Sequence, residues 1–72
     1  MSRVPDLSHQ RIVRALERAG FVVIRQGKHI SMYSEDRRVM AVIPRHNPVK
    51  RTTLSRILRE IGISPEEFQE LL

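Results

Sequence analysis

The side chains of this sequence best suited to proton transfer near neutral pH are its three histidines, His9, His29 and His46. Cysteine is absent, which excludes thiol nucleophiles, thiolate metal ligands and disulfides. The histidines lack the spacing of a metal site, and no cluster of carboxylates accompanies them. An enzyme built on this sequence would therefore work with histidine and cations, and we expect no metal or other cofactor.

The charge of the sequence indicates a polyanionic partner. Thirteen Lys and Arg against eight Asp and Glu leave a net charge of +5 on 72 residues, and most of the cations are Arg. Arg forms bidentate contacts with phosphate, so both nucleic acid and an acidic protein fit as partners. A basic domain that uses its charge only for solubility is the plainer alternative.

Cleavage of RNA is a reaction that histidine and cations can carry out without a metal. RNA supplies its own nucleophile, the 2′-hydroxyl, so the protein needs a base, an acid and stabilisation of the charge on phosphorus. Imidazole is a suitable base at neutral pH, and Arg and Lys stabilise the non-bridging oxygens. DNA lacks this hydroxyl and would be inert to the same route.

His29 is the first candidate for this chemistry because it follows the turn Gly27-Lys28 directly. At such a position a side chain reaches solvent while the strand fixes its direction, and Arg25 and Lys28 lie close in sequence. Tyr33 falls on the same face of the strand as His29 and offers a surface for stacking on a base. An ordinary exposed turn histidine shows the same spacing, so the spacing alone leaves its role open.

The loop that follows the third strand carries weaker candidates. His46, between Pro44 and Pro48, could serve as the acid, orient the RNA, or hydrogen-bond the loop backbone. The remaining candidates for RNA contact in this loop and at its end are Arg45, Lys50 and Arg51.

Hydrophobic periodicity predicts an α+β domain that spans residues 1–72. The segments are an amphipathic helix over 8–19, strands over 21–26, 29–34 and 39–43, a helix over about 53–61, and a last helical turn through Phe68 and Leu71. Short connections favour a three-stranded antiparallel sheet, with the helices on one face and the other face open for binding. No apolar run is long enough to cross a membrane, and the N-terminal MSRVPDLS lacks the apolar core of a signal peptide.

Three ordered motifs, GFVVIRQGKH, VIPRH and TTLSRILREIGISPEEF, extend over most of the sequence. In order and spacing they resemble the HicA family of mRNA-interferase toxins. The resemblance implies an α-β-β-β-α fold like that of the double-stranded RNA-binding domain. It also implies a metal-independent, cytoplasmic endoribonuclease that cuts mRNA and arrests translation. The family's catalytic histidine maps onto His29, and the histidine of its P-x-H motif onto His46.

The resemblance further implies a HicB-like antitoxin that covers the active site. Two positions depart from the usual family pattern: Lys28 replaces a serine in a shorter turn, and Thr52 stands where a glycine is common before Thr53-Leu54. Two other classes of function remain open, a non-catalytic RNA-binding module of the same fold and an interaction domain that docks an acidic protein.

Overall fold

The computed structural model describes residues 4–72, which form three helices and one antiparallel sheet. The elements are α1 (His9–Arg18), β1 (Phe21–Gln26), β2 (His29–Ser34), β3 (Val39–Pro44), α2 (Arg51–Ile61) and α3 (Pro65–Leu71). Residues 1–3, the first three of the N-terminal MSRVPDLS, lie outside the described residues. The predicted α+β class and the α-β-β-β-α order are confirmed, and the last helical turn is a third helix.

The sheet has one helix-covered face and one open face. Its strand order is β1-β2-β3, so β2 is central and both neighbours are edge strands. In β2 the side chains of Ile30, Met32 and Ser34 are buried. Successive side chains of a strand point to opposite faces. His29, Ser31 and Tyr33 therefore lie on the open face.

The hydrophobic core fills the space between the sheet and the helices. Helix α1 packs on β1 and β3, α2 packs on β3, and α3 packs against both other helices. Each long helix contributes the stripe of buried residues that its periodicity predicts. These residues are Ile12, Ala15 and Leu16 in α1, and Leu54, Ile57, Leu58 and Ile61 in α2.

Helix α2 begins at Arg51, two residues before the predicted start at Thr53. Its N-cap residue, Lys50, makes no side-chain hydrogen bond to the helix. Instead, the Arg51 N–H donates to Oδ1 of Asp6 at 2.8 Å. A carboxylate near a helix N-terminus stabilises it by satisfying a free N–H and by interacting with the helix dipole. The cap comes from a distant part of the chain, which is why local sequence placed the start too late.

Helix α3 is short, and specific contacts hold its first turn in place. The Ser64 Oγ accepts a hydrogen bond from the Glu67 N–H at 3.0 Å, as the capping motif predicts. The Glu67 carboxylate, however, pairs with the Arg37 guanidinium at 2.8 Å, so this side chain ties α3 to the turn between β2 and β3. The ring of Phe68 is fully buried in the core.

We expect Phe68→Ala to lower the free energy of unfolding by about 3–5 kcal/mol, because it removes a buried ring and leaves a cavity. Urea denaturation followed by circular dichroism measures this loss. Glu70→Ala, an exposed position on the same helix, is the matched control and should change stability little. A loss below about 1 kcal/mol for Phe68→Ala would mean that α3 is not part of the cooperative core.

Candidate functional site

A β-bulge in β1 determines which residues share a face with His29. Phe21 and Val23 point toward the helices, so strict alternation would send Arg25 to the helix-covered face as well. The register shifts between Val23 and Arg25, and pairing resumes with Arg25 opposite Ser31. Bulges re-aim side chains in this way. Arg25 therefore lies on the open face with His29, and the next residue, Gln26, turns toward the helices.

The bulge and the β1–β2 turn create a shallow depression of about 450 Å³ beside His29. The turn is tight, since the Gly27 N–H donates to the His29 carbonyl at 3.0 Å. The lining residues are Arg25, Gly27, Lys28, His29, Ser31 and Val42. Two cations and an imidazole thus surround this space, and none of the described residues that line it is a carboxylate. The proximity of Arg25 and Lys28 to His29, expected from sequence, is present in the structure.

The His29 side chain is free to act on a ligand. His29 is exposed, and none of the hydrogen bonds within residues 4–72 uses its ring. Its register partner is Pro44, the last residue of β3, so the depression lies at the end of the sheet where the loop 45–50 begins. The turn at the opposite end carries Glu35 and Asp36 beside Arg37 and Arg38. The His29 end is thus the more positive end of the sheet.

His46 lines a neighbouring depression and not the one that contains His29. This second space, about 320 Å³, begins at Pro44 and also includes Lys50 and Thr53. The His46 ring makes no hydrogen bond to the described loop backbone. The structure therefore does not support a role for His46 in holding the loop by such a bond. The Arg51 side chain is exposed and lines neither depression.

Tyr33 shares the open face with His29 but lies farther along the strand. Four residues at about 3.3 Å each separate the two positions by about 13 Å. Its register partners are Val22 on one side and Met40 on the other. Tyr33 therefore belongs to an apolar row across the sheet and does not line the His29 depression.

The open face is more apolar than the charge of the sequence suggested. Its exposed large hydrophobic residues are Val22 (58% exposed), Ile24 (53%), Met40 (53%) and Val42 (46%). Apolar surface of this kind marks contact sites for other molecules. The sequence contains a signal for this apolar open face. The runs VVI and VMAVI do not alternate with polar residues, which is typical of strands with two apolar faces.

Arg45 lies on the other side of the sheet from His29. Its Nη2 donates to Oε1 of Gln26 at 3.2 Å, and both side chains line a groove between α1 and the sheet. The loop that carries Arg45 is attached to α1, since Asn47 Oδ1 accepts from the His9 N–H at 3.1 Å and lies 3.0 Å from the His9 Nδ1. The structure thus separates Arg45 from Arg25 and Lys28.

In the part of the chain that the structure describes, no three His, Asp or Glu side chains come together as a possible metal site. Within the same residues, no helix combines the length and the apolar character needed to span a membrane.

Comparison with known proteins adds one finding to this geometry. A family model described as "HicA toxin of bacterial toxin-antitoxin" matches residues 10–63, three quarters of the chain. The match begins in α1, includes the whole sheet and α2, and therefore contains the His29 depression. A search among curated proteins found no match.

Proposed function

The chain belongs to the HicA toxin family of bacterial toxin–antitoxin systems, and we propose that it acts there as a metal-independent endoribonuclease that cleaves mRNA in the cytoplasm and arrests translation. The observation that carries this proposal is the depression at His29. Within residues 4–72, the imidazole there makes no hydrogen bond, and the lining beside it contains Arg25 and Lys28 and no carboxylate. These groups supply the base and the charge stabilisation that RNA cleavage by the 2′-hydroxyl needs.

In the proposed reaction His29 acts as the general base. One of its ring nitrogens takes the proton of the 2′-hydroxyl, and the 2′-oxygen attacks the adjacent phosphorus. Arg25 and Lys28 stabilise the negative charge that grows on the non-bridging oxygens. The bond to the 5′-oxygen breaks, and this oxygen leaves with a proton. The products are a 2′,3′-cyclic phosphate and a 5′-hydroxyl end.

The other candidate residues receive secondary roles. His46 and Lys50 line the depression next to the site, where His46 could supply the proton to the leaving oxygen or hold the RNA. Arg51 is an exposed cation at the start of α2 that could contact a phosphate farther along the RNA. Tyr33 could stack on a base beyond the cleavage point, since it lies on the same face about 13 Å away.

The family also implies an antitoxin as partner, and we propose that this is a HicB-like protein which covers the open face of the sheet. The exposed apolar side chains of this face support the assignment, because apolar surface grouped on one face often marks a protein–protein contact site. A protein bound there would also bury His29 and thus block the RNA from the proposed base.

We expect the purified protein to degrade RNA in the presence of EDTA and to leave DNA of the same sequence intact, because only RNA supplies the 2′-hydroxyl. Gel electrophoresis of both oligonucleotides after incubation measures this difference. Cleavage that stops on addition of EDTA and returns with a divalent cation would contradict the metal-independent route.

A non-catalytic RNA-binding module is the second candidate, favoured by the same cations at the His29 end. It predicts RNA binding that weakens steeply with salt, and no cleavage at any protein concentration. An interaction domain for an acidic protein would instead show negligible affinity for RNA at physiological salt.

A further inference from the structure

A groove on the helix-covered side of the sheet lies outside the proposed catalytic site. It has a volume of about 540 Å³ and runs between α1 and the ends of β1 and β2. Apolar side chains form part of its lining, namely Val13, Val23 and Ile30. The polar and charged lining residues are His9, Gln10, Arg14, Glu17, Gln26 and Arg45. The lining thus combines apolar side chains with polar groups that can fix the orientation of a small ligand.

The side-chain amides of Gln10 and Gln26 allow this groove to hydrogen-bond the edge of a base. Gln26 uses its Oε1 to accept from Arg45, which fixes the amide and leaves the two Nε2 hydrogens for a ligand. Gln10 is exposed and makes no hydrogen bond with its side chain among the described residues, so it offers both a donor and an acceptor. The apolar residues of the same lining suit the flat face of an unpaired base.

The charge of the groove favours an anionic ligand. Arg14 and Arg45 contribute two cations, against one carboxylate, that of Glu17, among the described residues of the lining. Arg14 is exposed and forms no ion pair within residues 4–72, so its guanidinium is available to a phosphate. A flat ring next to a negative charge is the chemistry of a nucleotide.

The position of the groove connects it with the His29 depression. Arg25 and Gln26 are adjacent in sequence, and one lines the depression while the other lines the groove. β1 is an edge strand, so a ligand can pass from the open face to the helix-covered side across that edge. Gly27 lies at this point, and the space where its Cβ would stand is empty.

We infer that this groove binds an unpaired base and the adjoining phosphate of the same RNA whose cleaved phosphate lies at His29. Gln10 and Gln26 contact the base, and Arg14 contacts the phosphate. The assignment rests on the proposed ribonuclease function and adds a second contact point that selects for single-stranded RNA long enough to cross the edge of β1.

The test compares Gln10→Ala and Arg14→Ala with Arg11→Ala, a matched control that removes the same charge from α1 outside the groove. The substrates are an RNA of about ten nucleotides and a dinucleotide that spans only the cleaved bond. For the longer RNA we expect each groove variant to raise KM about two- to tenfold, the effect of one lost hydrogen bond, with kcat nearly unchanged. Arg14→Ala should also lower the slope of log affinity against log salt by about one. Cleavage of the dinucleotide should stay at the wild-type rate.

Abasic substitution identifies the base itself. The longer RNA is made with one abasic nucleotide at each position in turn. At one position beyond the cleaved bond the wild type should lose at least the factor that Gln10→Ala loses on intact RNA, and the same abasic RNA should cost Gln10→Ala less than it costs the wild type. Groove variants that match Arg11→Ala, or a scan without such a position, would overturn the inference.

The groove can still be tested if the protein proves not to be a ribonuclease. If the wild type cleaves neither substrate, fluorescence anisotropy with the labelled longer RNA still tests the groove. Weaker RNA binding by both groove variants, with Arg11→Ala unaffected, then supports the groove without the enzyme. Variants that lose affinity for the antitoxin and keep affinity for RNA would assign the groove to a protein and overturn the inference.

Discussion

The variant His29→Ala is expected to lose RNA cleavage by about a hundredfold or more, since a positioned general base contributes about 10²–10⁴ to the rate. The loss should appear in kcat, because the imidazole acts on the 2′-hydroxyl in the transition state while the neighbouring cations still hold the RNA. Single-turnover cleavage of a labelled RNA measures the chemical step. Expression of the variant should no longer arrest growth.

Two controls separate a chemical loss from a structural one. The His29 side chain is exposed and makes no hydrogen bond within residues 4–72, so the melting temperature of His29→Ala should match that of the wild type. His46→Ala removes the same side chain from the adjacent depression and should retain more activity than His29→Ala. Full cleavage by His29→Ala would remove His29 from the mechanism, whatever the result for His46→Ala.

The second large effect is expected at the open face, where Met40→Glu should break antitoxin binding and leave cleavage in place. Met40 is 53% exposed and lies opposite Tyr33, away from the His29 depression. If the antitoxin covers this face, the new carboxylate is buried without a partner, which costs several kcal/mol and lowers affinity by about a hundredfold or more. Titration calorimetry with the antitoxin measures the loss.

Thr52→Glu is the matched control for this variant. It adds the same charge at an exposed position of α2, on the side of the sheet that the helices cover. Its affinity for the antitoxin should equal that of the wild type. In cells, coexpressed antitoxin should rescue growth with Thr52→Glu and fail with Met40→Glu. Wild-type affinity for Met40→Glu would place the antitoxin elsewhere on the protein.

Local sequence was sufficient to predict most of the fold because the signals were local. The alternation of HISMYS places His29 and Tyr33 on one face, and Ser64 before Pro65 begins α3 as predicted. The start of α2 could not be predicted this way, since its cap is the Asp6 carboxylate from the other end of the chain. Such a contact has no local signature.

The candidate site was predictable in its residue types and less so in its geometry. Arg25 is close to His29 in sequence, but only the bulge brings the two side chains to the same face of the sheet. The run FVVIRQ contains no residue pattern that predicts a bulge. Arg45 looked equivalent to the other cations, yet its hydrogen bond to Gln26 holds it on the opposite side of the sheet. Tertiary contacts decide which cations meet the imidazole.

The central claim is that the protein cuts RNA through the 2′-hydroxyl next to the cleaved bond, with His29 as the base that activates it. Removing that hydroxyl tests the claim most directly. The cleavage position in one RNA is mapped, and the same RNA is made with a single 2′-deoxynucleotide there. We predict that the wild type in EDTA cuts the unmodified RNA to a 2′,3′-cyclic phosphate and a 5′-hydroxyl, and leaves the modified bond intact. Cleavage of the modified bond, or products with 5′-phosphate ends, would contradict this mechanism.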